Sequence, residues 1–212
     1  GLRRSMLWII PGILISYIIG SIPTGYIFGR VLKGIDIRKF GSGNVGATNA
    51  LRVLGKPAGI TVLALDILKG FVAVLFLGNI IAARVSNISD ITVRLLLGFC
   101  CIFGHNWTIF LKFKGGKGVA TTLGVLLGLA VKSGGIKIVF VLVILTWLTA
   151  FIITRIVSLA SILSCIALPL YMFLLKQPRV LMFSSVLLCL FIILRHKSNL
   201  KRLFQGKEPR LF

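Results

Sequence analysis

Acidic residues are scarce in this sequence. Only four occur among 212 residues, Asp36, Asp66, Asp90 and Glu208, against 25 lysines and arginines. A magnesium or two-metal phosphoryl-transfer site needs several oxygen ligands close together, whereas these carboxylates are scattered singly. We therefore predict no metal site and no cofactor. The formal net charge of +21 instead favours anionic partners, such as lipid headgroups and anionic substrates.

Cysteine is also rare and carries no recognisable pattern. Cys100, Cys101, Cys165 and Cys189 all lie in apolar runs, without the spacing that metal ligands show. Small sulfur side chains in such runs are typical of packing positions. We predict that all four are reduced and chemically inert.

Hydrophobic residues, by contrast, make up 57% of the chain, and the mean hydropathy is +1.03. This composition excludes a soluble domain and argues against a nucleic-acid-binding protein. We predict an all-α polytopic membrane protein with about seven transmembrane helices. The apolar segments are 7–31, 59–83, 91–104, 119–131, 135–153, 156–175 and 180–194. Segments 91–104 and 119–131 are shorter than a full span, so tilted, partly embedded or re-entrant helices are expected there.

The first apolar segment contains a predicted break. Its sequence Ser-Ile-Pro-Thr-Gly at residues 21–25 places Pro23 inside an otherwise helical pattern. Proline removes a backbone donor and clashes with the preceding turn. We therefore expect the helix to kink or break near its inner end.

The distribution of basic residues predicts the orientation. With the very basic loop 33–57 placed inside, alternation puts 16 lysines and arginines inside and six outside. This asymmetry predicts an N-out, C-in topology. Loop 33–57, the hairpin around 104–118, the turn at 155–161 and the tail 195–212 then share the cytoplasmic face, where they can converge on one site.

A single integral membrane domain is expected for residues 1–212. Residues 195–212 form its basic cytoplasmic tail. We interpret residues 1–5, which precede Met6, as additions made for expression.

A glycine hairpin is the most distinctive polar segment. Its core consists of Gly115, Gly116, Lys117 and Gly118. Closely spaced glycines allow backbone N–H groups to turn towards an anion, and Lys112, Lys114 and Lys117 supply positive charge. A helix starting at Val119 would add its dipole. The alternative is a simple basic turn between helices. A Walker A loop is excluded, because Lys117 is followed by glycine instead of Ser or Thr.

Loop 33–57 is the longest polar segment and carries a second cluster of glycines. Residues 41–46, GSGNVG, match a dinucleotide-binding loop only weakly, because no β-strand precedes them in a membrane bundle. A second anion-binding loop fits better. Thr48 or Asn49 is predicted to cap a short helix, on which Arg52 and Lys56 would share one face.

Asp66 and Lys69 interrupt the second apolar segment. Their i, i+3 spacing predicts an ion pair on one helix face, which we interpret as structural.

The only histidines, His105 and His196, lie in polar segments. Each can be a proton carrier or a hydrogen-bonded structural residue. Asn199 would share the helix face of His196. Ser158 and Ser161 can bind substrate or bond back within their own helix.

These motifs together resemble the bacterial acyl-phosphate:glycerol-3-phosphate acyltransferase family. The resemblance rests on GSGNVGATNALRVLGK from Gly41, LDILKG from Leu65, GHNWTIFLKFKGGKGVAT from Gly104 and RHKSNLKRLFQGKE from Arg195. It covers nearly the whole chain. Trp107-Thr108 departs from it, because an aromatic residue followed by proline is expected there.

The resemblance implies acyl transfer from acyl phosphate to the 1-hydroxyl of sn-glycerol 3-phosphate. The products would be lysophosphatidic acid and phosphate, in the bacterial inner membrane, with neither acyl-CoA nor acyl carrier protein as donor. It places Ser42, Asn44, Gly46, Thr48 and Arg52 in the active site, makes the hairpin with Lys117 a phosphate site, and adds His196 and Asn199.

The chain also lacks the His-x-x-x-x-Asp motif common in thioester-dependent acyltransferases. Phe110 stands five residues after His105, and Lys201 five after His196. Because acyl phosphate is already activated, we expect direct attack by the glycerol hydroxyl. The base is His105 or an oxygen of the acyl phosphate. A Ser42 nucleophile is disfavoured, because no His-Asp pair is evident to activate it.

Two other functions were weighed. A transporter of phosphorylated metabolites would also use basic loops and broken helices, but its site would lie near the membrane midplane between repeats, and no repeat is evident. A structural membrane subunit leaves the Gly, Ser, Asn and basic residues of the loops unexplained.

Overall fold

The structure is a computed structural model, and residues 2–212 of it are described. The interpretation of residues 1–5 as additions made for expression concerns residue 1 as well, which lies outside the described residues. Within that range the chain is helical and contains no β-strand, as predicted. The helices are α1 Leu2–Ser21, α2 Thr24–Lys33, α3 Ala47–Leu54, α4 Lys56–Val72, α5 Gly78–Ala82, α6 Asp90–Asn106, α7 Val119–Lys132, α8 Gly134–Thr154, α9 Val157–Leu174, α10 Arg179–Arg195 and α11 Lys197–Phe204.

Every predicted apolar segment forms a helix. Among residues 2–212, five stretches are long and apolar enough to cross a membrane, namely Ser5–Lys33, Lys56–Ala82, Asp90–Leu111, Gly134–Thr154 and Val157–Leu174. A sixth is obtained if α10 and α11, bent by 64° relative to each other, count as one span. Helix α7 is apolar but has only 14 residues. The polytopic prediction is confirmed, whereas seven crossings and the N-out, C-in orientation stay predictions.

Pro23 breaks the first segment as predicted. Helix α1 ends at Ser21 and α2 starts at Thr24. The break frees backbone carbonyls that would be costly to leave unpaired within a membrane. The Thr108 hydroxyl donates to the Ser21 carbonyl (2.5 Å), and Lys69 Nζ donates to the Ile22 carbonyl (3.3 Å). The break is therefore stabilised by one side chain from α4 and one from the segment just after α6.

Glycines bring the helix backbones of the N-terminal half close together. A methyl group on Gly20 would overlap the Cys101 carbonyl of α6, and one on Gly124 would overlap the Ile67 carbonyl of α4. Small residues allow this approach where lipid gives no hydrophobic drive for helix association. Helix α1 thus packs on α6, and α4 on α7.

A buried arginine supports an irregular turn between α4 and α5. Residues Ala73–Leu77 form a π-helix, and Arg94 of α6, only 2% exposed, lies against it. The guanidinium donates to the Val74 carbonyl (2.7 Å), to Asn79 Oδ1 (2.8 Å) and to both carboxylate oxygens of Asp90 (2.7 and 2.8 Å). A π-turn changes the pairing of helix carbonyls, and Arg94 supplies a donor there.

The chain divides into two compact units, the first ending at Lys132 and the second comprising Ser133–Phe212. In the second unit α9 packs against both α8 and α10. The C-terminal segment folds back within this unit, because the Leu211 N–H donates to the Arg155 carbonyl (2.8 Å). The expected single domain stays a prediction.

Candidate active site

A buried polar network lies where α1 ends and α4 and α6 pass. Asp66, Lys69 and His105 are only 1%, 6% and 7% exposed. Lys69 Nζ lies 2.8 Å from Asp66 Oδ1, which confirms the predicted ion pair, and 2.7 Å from His105 Nδ1. The Thr24 hydroxyl donates to Asp66 Oδ1 (2.6 Å). The ion pair is thus not isolated, because it directly contacts one of the two predicted catalytic histidines.

The network does not reproduce a Ser-His-Asp arrangement. His105 Nδ1 and Asp66 Oδ1 are 3.7 Å apart, longer than a hydrogen bond, and Lys69 Nζ contacts both. A cation therefore mediates between the carboxylate and the imidazole. A carboxylate that activates a histidine base would bind the ring directly.

The glycine hairpin is attached to the end of α6. The Gly115 N–H donates to the Asn106 carbonyl (3.1 Å) and the Gly116 N–H to the His105 carbonyl (2.9 Å). These two N–H groups, which we expected to turn towards an anion, thus pair carbonyls at the C-terminus of a helix. Gly118 has a left-handed φ of 83° and immediately precedes α7. Anion binding at the hairpin would therefore depend on Lys117, on Gly118 and on the first turn of α7.

Gly115 and Gly116 are required for close approach. A methyl group on Gly115 would overlap the His105 carbonyl oxygen, and one on Gly116 would overlap the His105 imidazole at Nε2. The ring edge bearing Nε2 therefore faces the hairpin. The hairpin and His105, which lie in the same GHNWTIFLKFKGGKGVAT motif, therefore form one structural unit.

Loop 33–57 is organised by the Asn49 side chain. Its amide donates to the carbonyls of Ile37, Phe40 and Asn44 (3.2, 3.2 and 2.8 Å), and its Oδ1 accepts from the Ser42 N–H (2.9 Å). Asn49 is buried and fixes the backbone around Ser42, so its predicted role as a helix cap is wrong. A residue that satisfies three carbonyls sets loop shape more strongly than a cap would.

Helix α3 starts differently from the prediction. Gly46 is its N-cap, without a side-chain cap, so the predicted Thr48 cap is also wrong. Asn44 Oδ1 accepts from the Gly46 N–H (2.8 Å) just before the helix. Gly55 ends α3 and Lys56 begins α4, so Arg52 and Lys56 do not share one helix face as expected. Their side chains are both exposed.

The two glycine loops of the first unit meet at one apolar cluster. Leu111, just before the hairpin core, packs with Ile37, Val45, Ala50 and Val62, which come from loop 33–57 and from α4. Segments 42–48 and 112–118 therefore flank a common core. Lys112 and Lys114 are exposed, and Lys117 is half-buried. The sequence prediction that these two loops lie together is supported within this unit.

A second polar cluster, in the C-terminal unit, is centred on Glu208. Its Oε1 accepts from the Ser158 hydroxyl (2.7 Å) and from Asn199 Nδ2 (2.5 Å), and its Oε2 accepts from Arg202 Nε (2.6 Å). The Glu208 side chain is 6% exposed. This role of Glu208 was not predicted from the sequence, although Glu208 is one of only four acids and closes the RHKSNLKRLFQGKE motif.

Ser158 and Ser161 behave differently from each other. Ser161 donates to the Val157 carbonyl one turn earlier (2.8 Å) and accepts from Trp147 Nε1 (3.2 Å), so it bonds back within its helix. Ser158 instead donates to Glu208 and tethers the tail to the start of α9. Substrate binding by either serine stays a prediction.

His196 lies at the junction of α10 and α11 and is 2% exposed. Its Nδ1 lies 2.8 Å from the Ile192 carbonyl oxygen. Asn199, 4% exposed, is in the first turn of α11. The expected convergence of this cluster with the two glycine loops stays a prediction.

Comparison with known proteins decides the family. Residues 10–206 match the family described as glycerol-3-phosphate acyltransferase. The chain belongs to this family. A glycerol-3-phosphate acyltransferase of Desulforamulus reducens is 44% identical over 196 residues, with 92% of each chain covered. One of Rippkaea orientalis is 44% identical over 216 residues, covering 97% of this chain and 95% of the relative.

A solved structure supports the same assignment. The crystal structure of PlsY (YgiH), an integral membrane glycerol 3-phosphate acyltransferase, in its glycerol 3-phosphate form superposes with a TM-score of 0.83 at 38% identity. The match covers 95% of this chain and 94% of that one. The lysophosphatidic acid form gives a TM-score of 0.80. The chain is thus an integral membrane acyltransferase, and the family match ends at residue 206, before Glu208.

Hydrogen bonds outweigh burial in setting the charge state of Glu208. Burial alone would raise the pKa of this carboxyl, but donation from Ser158, Asn199 and Arg202 holds the pKa below its usual value. A carboxyl with a depressed folded-state pKa stabilises the fold above the unfolded-state pKa, about 4.3 for glutamate. That stability is lost as the pH falls through the lower folded-state pKa.

We expect Glu208→Gln to lower the melting temperature by roughly 2–6 °C at pH 7, because a charged acceptor for three donors is lost. The difference from the parent protein should begin to shrink as the pH falls below the unfolded-state pKa of about 4.3, and should vanish below the lower folded-state pKa, where the parent carboxyl is also neutral. Thermal unfolding of both proteins in detergent between pH 8 and pH 3 measures this. Lys207→Gln, at an exposed neighbouring position, is the control. A pH-independent difference would contradict the assignment.

Proposed function

We propose that this family member transfers a fatty acyl group from acyl phosphate to the 1-hydroxyl of sn-glycerol 3-phosphate. The products are 1-acyl-sn-glycerol 3-phosphate, which is lysophosphatidic acid, and inorganic phosphate. The observation that carries the proposal is the close match to PlsY in its glycerol 3-phosphate and lysophosphatidic acid forms. The reaction would be the first membrane step of phospholipid synthesis in the inner membrane of a bacterium.

Acyl phosphate as donor is supported by the chemistry of the loops. Both substrates then carry a phosphate, and two glycine-containing basic loops flank one apolar core. An acyl phosphate has a good leaving group, so the enzyme needs to orient the reactants and neutralise charge, without an acyl-enzyme. Neither histidine is followed by the His-x-x-x-x-Asp pattern of thioester-dependent acyltransferases.

The proposed reaction is a direct displacement. The 1-hydroxyl oxygen of glycerol 3-phosphate attacks the acyl carbonyl carbon, an ester C–O bond forms, and the C–O bond to phosphate breaks. The hydroxyl proton passes to a base, which is a histidine or an oxygen of the departing phosphate. Charge develops on the carbonyl and phosphate oxygens, where hydrogen-bond donors and cations lower the barrier.

The residues divide into two groups in this proposal. The acyl phosphate is held by Ser42, Asn44, Gly46, Thr48 and backbone N–H groups. Glycerol 3-phosphate is held by Arg52, Lys56, Lys112, Lys117 and Gly118 of the first unit. The roles of Ser158, Ser161, His196 and Asn199 in the second unit stay predictions from the sequence. Arginine can bind a phosphate through two parallel hydrogen bonds, whereas lysine acts as a mobile point charge.

The placement of the polar groups favours an enzyme over a transporter. His105 lies in the last turn of α6, and Lys117 and Gly118 immediately precede α7. The hairpin and loop 33–57 also lie at helix ends. Transporter sites instead lie near the middle of the membrane, between repeats.

Phosphate release from the purified protein in detergent tests the function. With palmitoyl phosphate, glycerol 3-phosphate and EDTA, we expect release of phosphate together with lysophosphatidic acid in equal amounts. Without glycerol 3-phosphate, release should fall to the background rate, because water is not positioned as a nucleophile. Palmitoyl-CoA should give no product.

Two outcomes would contradict the proposal. Turnover with palmitoyl-CoA but not with palmitoyl phosphate would reassign the donor. A covalent acyl-serine, trapped with palmitoyl phosphate alone and detected by mass spectrometry, would make Ser42 a nucleophile and replace direct displacement.

A further inference from the structure

The ammonium group of Lys69 has three acceptors around it. They are Asp66 Oδ1 at 2.8 Å, His105 Nδ1 at 2.7 Å and the Ile22 carbonyl at 3.3 Å. An ammonium has three N–H donors and no lone pair, so it cannot accept a hydrogen bond from any of these neighbours. Lys69 can therefore only donate to the imidazole, and His105 Nδ1 must accept.

The alternative protonation is electrostatically worse. If Lys69 were neutral and His105 charged, the positive charge would sit on a ring whose Nδ1 is 3.7 Å from the carboxylate. Lys69 Nζ is nearer, at 2.8 Å, and all three side chains are buried, so Coulomb attraction is strong and places the charge on the lysine. The neutral imidazole then carries its proton on Nε2.

That Nε2–H faces the glycine hairpin. The Gly116 Cα lies so close that an added methyl group would meet Nε2 before any other atom. Lys117 follows Gly116 directly, and α7 starts two residues later. The Nε2 proton of His105 thus faces the segment that contains Lys117, the lysine proposed to hold an anionic substrate.

We infer that His105 acts as a hydrogen-bond donor at the hairpin through Nε2–H, and that Lys69 and Asp66 are positioning residues that fix this tautomer. His105 is therefore not the general base, since Nδ1 is occupied by Lys69 and Nε2 already carries a proton. The acceptor of this hydrogen bond is an anionic oxygen of a bound phosphate or of the developing oxyanion. This inference rests on the proposed acyl transfer for its catalytic consequence, although the tautomer itself does not depend on it.

His196 has the opposite arrangement. Its Nδ1 lies 2.8 Å from the Ile192 carbonyl, which can only accept, so Nδ1 carries the proton and Nε2 has the lone pair. The sequence contains only these two histidines. Nδ1 thus accepts a hydrogen bond in His105 and donates one in His196.

Nitrogen NMR of the full-length protein, labelled with 15N only at histidine, tests the tautomers directly. At pH 8, above the ordinary imidazole pKa of about 6.5, long-range proton–nitrogen correlation should show one Nε2–H ring and one Nδ1–H ring. The spectrum of His196→Gln assigns the remaining signal to His105. An Nδ1–H tautomer for His105 would overturn the inference, whether or not the protein is active.

Removing the donor from Lys69 should change the His105 spectrum. In Lys69→Met we expect the Nε2–H pattern of His105 to be lost or mixed, while the His196 pattern is unchanged, and kcat to fall about 10- to 100-fold. Lys69→Arg, which can still donate to Nδ1, should restore part of the Nε2–H signal and part of kcat. A His105 pattern that is unchanged in Lys69→Met would show that Lys69 has a purely structural role.

Two substitutions of His105 distinguish its role as a hydrogen-bond donor from a role as the general base. The amide nitrogen of glutamine reaches the position of Nε2, whereas that of asparagine reaches only the position of Nδ1. His105→Gln should therefore keep kcat within about tenfold of the parent, and His105→Asn should lose about 100-fold, as for removal of one transition-state donor. An equal and large loss in both variants, with unchanged melting temperature, would restore His105 as the base.

Failure of the proposed function and failure of the tautomer inference are distinguishable. If the parent protein releases no phosphate from palmitoyl phosphate with glycerol 3-phosphate present, the proposed function fails, while the spectrum still decides the tautomer. If the parent protein turns over and His105 is an Nδ1–H ring, the function stands and the present inference is wrong.

Discussion

Gly116→Ala is expected to reduce acyl transfer at least about 100-fold, because the new methyl group would occupy the space of the His105 imidazole. Either the ring rotates away from the hairpin or the hairpin moves away from the end of α6. Both movements separate Nε2–H from Lys117. We expect the loss mainly in kcat/KM for glycerol 3-phosphate, measured by phosphate release with the donor saturating.

Gly134→Ala is the matched control for this substitution. Gly134 is the first residue of α8, and apart from its chain neighbours and the backbone of its own helix no atom lies within 4 Å of the position that its methyl group would take. The activity of the Gly134→Ala protein should equal that of the parent protein. A Gly116→Ala protein that retained activity would show that contact between the hairpin and His105 is unnecessary. Equal losses in both variants would point to a general effect of alanine on the fold.

Arg94→Met is expected to destabilise the first unit by about 2–4 kcal/mol, because the Val74 carbonyl and Asn79 Oδ1 lose a buried donor. This corresponds to a decrease of roughly 5–15 °C in melting temperature for a chain of this size. The methionine side chain fills much of the same space, so the effect reports hydrogen bonding more than packing. Thermal unfolding in detergent, followed by circular dichroism, measures it.

Arg84→Met provides the comparison for this second prediction. Arg84 donates to the Ile80 carbonyl (2.7 Å) and lies over the Trp8 ring at 4.6 Å, but it is exposed. Exposed cation–π contacts contribute about 0.5–1 kcal/mol. A melting temperature of Arg94→Met as high as that of Arg84→Met would mean that the π-helix does not depend on the guanidinium.

The membrane fold was largely predictable from the sequence. Uncharged apolar runs can satisfy their backbone only as helices in a membrane, so all seven predicted segments are helical. The break at Pro23 follows from the missing N–H of proline, and the Asp66–Lys69 pair follows from i, i+3 geometry. Each of these features depends on residues that are close in the chain.

Predictions that required a choice between hydrogen-bond partners were less successful. Asn49 was expected to cap α3, but it satisfies loop carbonyls up to 12 residues away. The N–H groups of Gly115 and Gly116 were expected to face an anion, but they donate to the end of α6. Local propensity identifies residues that can bond to the backbone, while the folded chain decides which backbone group is nearest.

The sequence by itself therefore determined the family, the helices and the two basic glycine loops. The tertiary structure decided which polar groups form hydrogen bonds with one another. Lys69 and His105 are 36 residues apart, and Ser158 and Glu208 are 50 apart. A hydrogen bond needs its atoms within about 3.5 Å, and contacts over such separations arise only when helices pack. The tautomer of each histidine and the role of Glu208 follow from that packing.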